Sequence, residues 1–211
     1  MKPTQIEQAI VEQVERYRFV LPDSIVAEPS TETTSEVVRR LIQRRVLHEV
    51  RLPAETVCLA ARRSPATTQS VARALAVHSF CRDPSRRQTF LRKTELARYF
   101  PTLFQTGLPG GYYVDATRES PVLGLIRVDV GLDEVGRIVS RCHQLARRHQ
   151  QLPGFRQLMT AGQFEITYLV ATEQKARRLS VALSLLEKTG VRCVVEPVPI
   201  LLDLLAPLPT T

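Results

Sequence analysis

The sequence predicts a mixed fold of α+β and α/β class in two parts, and three observations lead there. Residues 4–59 carry three helical patterns followed by two short apolar runs split by a proline turn. Residues 122–195 alternate strand-like and helix-like patterns in the order β–α–β–α–β. The stretch between them carries Pro65, Pro84 and several arginines, which breaks both patterns. Strands that alternate with helices imply right-handed crossovers and an at least partly parallel, mixed sheet.

In the first part, Ile6, Ala9, Ile10, Val14 and Tyr17 fall near helical spacing over Thr4 to Arg18, and Thr4 with Glu7 forms a capping box. Phe19 to Leu21 is an apolar bridge. Pro22 and Asp23 open a short second helix around Ser24 to Ala27, which Pro29 stops. A third helix runs from about Thr34 to Val46, with an apolar stripe of Val37, Val38, Leu41, Ile42 and Val46. Leu47 to Leu52 and Thr56 to Leu59 read as strands joined through Pro53, Ala54 and Glu55. Three helices and then a hairpin is the order of a winged helix, whose last helix enters the major groove. Arg39, Arg40 and Arg44, with Thr34 and Ser35 at the helix start, supply residue types that contact phosphates and base edges. Winged helices also serve as protein–protein modules, and that reading stays open.

In the second part, a connector over Arg62 to Ser70 leads into a helix over Thr68 to Phe80, and Asp83 to Gln88 breaks it. Tyr112 to Ala116 reads as a strand entered through Pro109, Gly110 and Gly111, and Val122 to Val130 as a strongly apolar one. A helix over Asp133 to His149, a strand over Phe164 to Ala171 and a helix over Glu173 to Thr189 follow. Gly190 stands at the C′ position of that last helix. Val191 to Val195 is the last strand, and Ile200 to Leu205 a short terminal helix. The expected division is a winged helix at 1–64, a connecting helix at 65–89 and an α/β domain at 90–211.

The chain has 211 residues and a net charge of +8. Residues 1–64 hold 10 Lys+Arg against 9 Asp+Glu, and residues 65–211 hold 19 against 12. A basic excess favours an anionic partner, of which nucleic acid is the commonest. Arg137, Arg141 and Arg148 approximate one stripe on their helix and join the candidate DNA-contacting set. No glycine-rich phosphate loop and no nucleophile elbow is present. Cys58, Cys81, Cys142 and Cys193 lack zinc-site spacing and read as reduced core thiols. The polar first fifteen residues and the lack of any ~20-residue apolar run lead to the expectation of a soluble, cytoplasmic protein with no membrane partner.

Asp115 and Asp129 stand near the ends of consecutive strands, where two carboxylates a hairpin apart would hold a divalent cation for phosphodiester hydrolysis. In this context the run GGYYVDA, PVLGLIRVDVG, DEVGRIVSRCHQLARRH and FEITYLVAT resembles the plasmid replication-relaxation family and mobilisation relaxases of the PD-(D/E)XK nuclease fold. The resemblance implies a nuclease-like second domain, Asp115 as the first-strand acid, and an acid–spacer–Asp–Gly pattern on the next strand. Asp129 and Gly131 match that pattern, but Arg127 occupies the place of its leading acid and Arg141 that of a helix lysine. A guanidinium stays protonated and opposes a metal there. The expectation is therefore a DNA-binding accessory or regulatory protein of a plasmid or mobile element, acting as a possible homodimer and without cofactor. The alternatives are a magnesium-dependent nickase using Asp115 and Asp129, and a protein-interaction subunit of a larger complex.

Overall fold

The computed structural model describes residues 4–25, 33–52, 56–61, 66–83, 85–131, 133–184 and 190–205. Among these the chain builds eight α-helices, a two-stranded antiparallel sheet and a five-stranded mixed sheet. The first helix, α1 (Gln5–Tyr17), starts as the sequence predicts: the Thr4 side chain accepts from the Glu7 N–H, and the Glu7 carboxylate accepts from the Thr4 N–H. Val20 then pairs antiparallel with Leu59, each N–H donating to the other's carbonyl at 3.1 and 2.8 Å. In place of the expected second helix the described residues hold a 3-10 turn at Pro22–Ser24, and the rest of that helix, 26–27, with Pro29 that stops it, lies outside the described residues.

Helix α2 (Thr34–Gln43) has its own capping box, between Thr33 and Glu36. It ends three residues before the predicted Val46, because Arg45 adopts a left-handed φ of 60° and the Val46 N–H returns to the Leu41 carbonyl at 2.9 Å. A left-handed arginine gives no sequence signal comparable to a C′ glycine. Strands β1 (His48–Arg51) and β2 (Val57–Ala60) form the hairpin; the turn between them lies outside the described residues.

Helix α3 (Thr68–Cys81) leads to β3 (Gln88–Phe90), α4 (Lys93–Tyr99), β4 (Tyr112–Asp115) and β5 (Val122–Val128). Then come α5 (Val135–Gln150), α6 (Pro153–Thr160), β6 (Phe164–Val170), α7 (Glu173–Leu183), β7 (Arg192–Pro197) and α8 (Ile200–Leu205). The sheet order is β3-β4-β5-β6-β7, antiparallel through β5 and parallel from β5 to β7. The mixed sheet expected from the β–α–β–α–β run is present. Strand β3 and helices α4 and α6 have no counterpart in the sequence reading. β3 is a three-residue edge strand, too short to show a period, and α6 starts at Pro153 without a side-chain cap.

Alternation along the strands splits the core in two. Tyr113, Ile126 and Leu169 face α3, α8 and the apolar residues of α1, α2 and the hairpin. Tyr112, Leu125, Ile166 and Tyr168 face the layer of α5, α6 and α7. Helix α3 belongs to both parts of the chain, since Val71, Leu75 and Phe80 share one core with Val14 of α1 and Tyr113 of β4. Each such fully buried side chain contributes about 1.5–3 kcal/mol.

Candidate functional site

Helix α2 turns Val37, Val38 and Leu41 inward. Ser35, Arg39 and Gln43 then form an exposed i, i+4 row on the opposite side. This row borders a groove between the 3-10 turn and the hairpin, lined by Ile25, Thr34, Ser35, Val38, Arg39 and Leu59. Arg40 and Arg44 occupy a third side. The Arg40 Nε and Arg44 Nη1 donate to the Glu7 carboxylate of α1 at 3.0 and 2.8 Å, and Glu7 is only 3% exposed. The Thr4 N–H, followed by Arg40 and Arg44, holds the Glu7 carboxyl below its ordinary range against the opposing cost of burial. Two of the three α2 arginines expected to meet DNA therefore join α2 to α1. The sequence reading treated them as an outward cluster because Glu7 lies 33 and 37 residues away.

The three candidate arginines of α5 also have partners within the chain. Arg137 and Arg141 lie over Asp133, the latter at 2.5 Å, and Arg148 donates to the Gly107 carbonyl at 2.9 Å. Arg137 and Arg141 remain well exposed. They lie on the opposite side of the five-stranded sheet from α2, because α5 belongs to the second core and α2 to the first.

The expected pairing of Asp115 with Asp129 is corrected by the strand register. Asp115 lies opposite Val122, at the start of β5, and Asp129 follows the far end of that strand. Seven residues of extended chain separate those levels by about 20 Å. The two carboxylates sit at opposite ends of the sheet and do not fit a shared divalent ion. Among the described residues no group of three or more His, Cys, Asp or Glu side chains converges as a metal site.

Each acid has a local task. Asp115 is buried, which opposes its ionisation. Hydrogen bonds from Thr117 and Gln88, with Arg118 nearby, outweigh that and hold the carboxyl below its ordinary range. Asp129 accepts from the Gly131 N–H at 3.2 Å and pairs with Lys175 of α7 at 2.5 Å. Lys175 also donates to the Asp133 carbonyl at 2.8 Å, so one lysine ties the β5–α5 loop to the start of α7. Arg127, which stands where the resemblance asks for an acid, donates to the Gly110 and Ile126 carbonyls at 3.1 Å. It secures the Gly110–Gly111 turn against β5. Gly111 needs its φ of 100° there, and a Cβ would sit 3.1 Å from the Ile126 oxygen.

Asp115 shares a groove with two other carboxylates, Glu165 of β6 and Glu196 of β7, and the sequence reading singles out neither. Tyr113, Gln88, Asp115, Arg118, Glu165 and Arg192 line a polar groove of about 230 Å³ on the α3 side of the sheet. Glu165, 4% exposed at its side chain, accepts from the Tyr113 hydroxyl at 2.5 Å and from Arg118 at 3.2 Å. Glu165 alternates with Phe164 and Ile166 on β6, a pattern that reads as a solvated face, whereas every residue of the strand is buried. The Tyr113 ring lies directly on Gly124, which leaves no room for a Cβ.

Among the described residues no helix is long and apolar enough to cross a membrane. Comparison with family models, curated proteins and solved structures found no match to this chain.

Proposed function

We propose that the chain is a DNA-binding accessory or regulatory protein that meets duplex DNA through α2 and the β1–β2 hairpin. The observation that carries this reading is the order helix, bridged strand, turn, helix, hairpin, with Val20 paired to Leu59. This order resembles that of a winged helix, whose last helix enters the major groove; Ser35 and Arg39 are exposed on α2, and Thr34 lines the groove beside them. Arg39 is the residue expected to carry most of the contact. Arg40 and Arg44 contribute through the pose of α2 on α1, and the exposed Arg137 and Arg141 through a separate surface that meets a second duplex segment or a second copy in a homodimer. The resemblance of the second part to plasmid replication-relaxation and mobilisation proteins supports a plasmid or other mobile element as the setting. The separation of Asp115 from Asp129, the Lys175 pair and Arg127 together favour a nuclease-like domain that does not cleave.

Fluorescence anisotropy on mixed-sequence duplex, over a salt series with and without magnesium, tests this. Wild type is expected to bind with a steep salt dependence. Arg39→Ala is expected to weaken binding roughly five- to tenfold and to lower the salt slope by about one if the contact is to phosphate. Absence of binding at physiological salt would remove the reading in favour of a protein-interaction module. Magnesium-dependent nicks abolished by Asp129→Ala would replace it with the nickase.

A further inference from the structure

The four cysteines divide sharply by surroundings. Cys58 and Cys81 are buried among apolar residues, and burial pushes their thiols up to about 11 and about 12. Cys142 on α5 and Cys193 on β7 lie with their sulfurs 3.6 Å apart. They are 51 residues apart in sequence, with no spacing motif to announce them. Cys142 is completely buried, whereas Cys193 sits on the edge strand of the sheet and is partly exposed.

We propose that Cys142 and Cys193 form an oxidisable dithiol, a modification site that takes a low-molecular-weight disulfide of the glutathione type. The division of labour follows from access. Cys193 alone meets solvent, so its thiolate attacks the external disulfide, forming a mixed disulfide and releasing one small thiolate. Cys142 cannot reach solvent, and the only electrophilic sulfur within its reach is that of modified Cys193. Its thiolate attacks that sulfur, forms the Cys142–Cys193 bond and expels the second small thiol. Two protein thiols lose two protons and two electrons, and the external disulfide is reduced to two thiols. In the reduced pair the Cys193 thiol, then Tyr168 and Arg127, hold Cys142 below its ordinary range despite burial. Once Cys193 is in a mixed disulfide its donor is gone, and Tyr168 and Arg127 are the groups left to favour the Cys142 thiolate. A thiolate, not a thiol, is the nucleophile in such exchange. The bond would join the arginine-bearing helix α5 to the sheet edge and close a long loop.

The full-length protein, kept folded, is incubated with oxidised glutathione, blocked with an alkylating agent and mapped by peptide mass spectrometry. Wild type is expected to show an intramolecular Cys142–Cys193 link, with Cys58 and Cys81 still alkylatable after unfolding. Its melting temperature is expected to rise by about 5 °C or more, reversibly with dithiothreitol. Cys142→Ser is expected to stop at the mixed disulfide on Cys193, and Cys193→Ser to remain unmodified at Cys142. Four intact thiols in wild type after incubation would overturn the proposal, and so would a link that involves Cys58 or Cys81 or that joins two chains. These wild-type outcomes decide the matter even where a serine variant fails to fold.

Discussion

Arg40 and Arg44 on α2 and Arg137 and Arg141 on α5 share a spacing of four residues, and each pair converges on one carboxylate. The carboxylates differ. Glu7 is 3% exposed at its side chain and Asp133 is 24% exposed. A carboxylate removed from water needs its donors, and losing them leaves a charge that the fold must accommodate. A half-open one is solvated with or without them, and its ion pairs contribute little. Equal sequence patterns therefore mark a structural joint in one place and an available basic surface in the other. Glu165, sealed under Tyr113 in the sheet groove, is a third case and resembles Glu7.

The sharpest way to break this contrast is to open a sealed carboxylate. Gly124→Ala drives the Tyr113 ring off β5 and away from Glu165. It is expected to cost about 3 kcal/mol, read as a lower midpoint in urea at unchanged slope.

Acid tests the buried neutral groups on both sides of the sheet. His78, bonded to Gln13 at 3.0 Å on the α1 side, is held down to about 4, mainly by burial. His149 is enclosed by Phe155, Phe164 and the Tyr112 hydroxyl on the other side, and burial lowers it too. Above pH 6.5 neither histidine binds a proton in either state. Below it the unfolded chain takes up protons that the fold excludes, so stability falls as pH drops from 6.5 toward 4. The loss from His78 alone is about 2 kcal/mol by pH 4.5, and a pH series of urea melts on wild type and His78→Gln separates it from the rest. A flat profile over that window would show that the histidines are hydrated.

Glu7→Gln is expected to cost about 1–2 kcal/mol, since the partly exposed arginines recover water while the box to Thr4 weakens. Asp133→Ala should cost less than about 0.5 kcal/mol and leave DNA affinity unchanged or higher. Equal costs for these two variants would erase the distinction between the two arginine pairs.

Much of the fold is legible in local pattern. Thr4 and Glu7 mark the start of α1, and Gly190 has a left-handed φ of 80°, while the helix end it is read as closing, 185–189, lies outside the described residues. The apolar run 122–128 marks a central strand with both faces covered. The site is less legible, because its contacts depend on distances in the fold and not along the chain. The same Glu7 that announces a helix cap gives no sign of serving two arginines on another helix. Asp115 and Asp129 both stand at strand ends when these are counted along the chain, and only the register shows that Asp115 is at the turn end of the β4–β5 hairpin and Asp129 beyond its open end. Glu165 and Thr167 share one face of β6, which in sequence reads as the solvent side of a strand, and only the fold shows that face buried against the Tyr113 hydroxyl.

The sheet changes character at β5, antiparallel before it and parallel after it, and that change orders the assembly of the molecule in time. The β4–β5 hairpin closes through a short turn and is available as soon as Val128 leaves the ribosome, with β3 joined to it through α4, whereas β6 and β7 wait for the helices α5, α6 and α7 to be made. Non-local parallel pairing is the slow part of folding. The interval between the two leaves the open edge of β5, with Leu125 and Ile126 on its two faces, as the stretch of this chain most in need of chaperone cover.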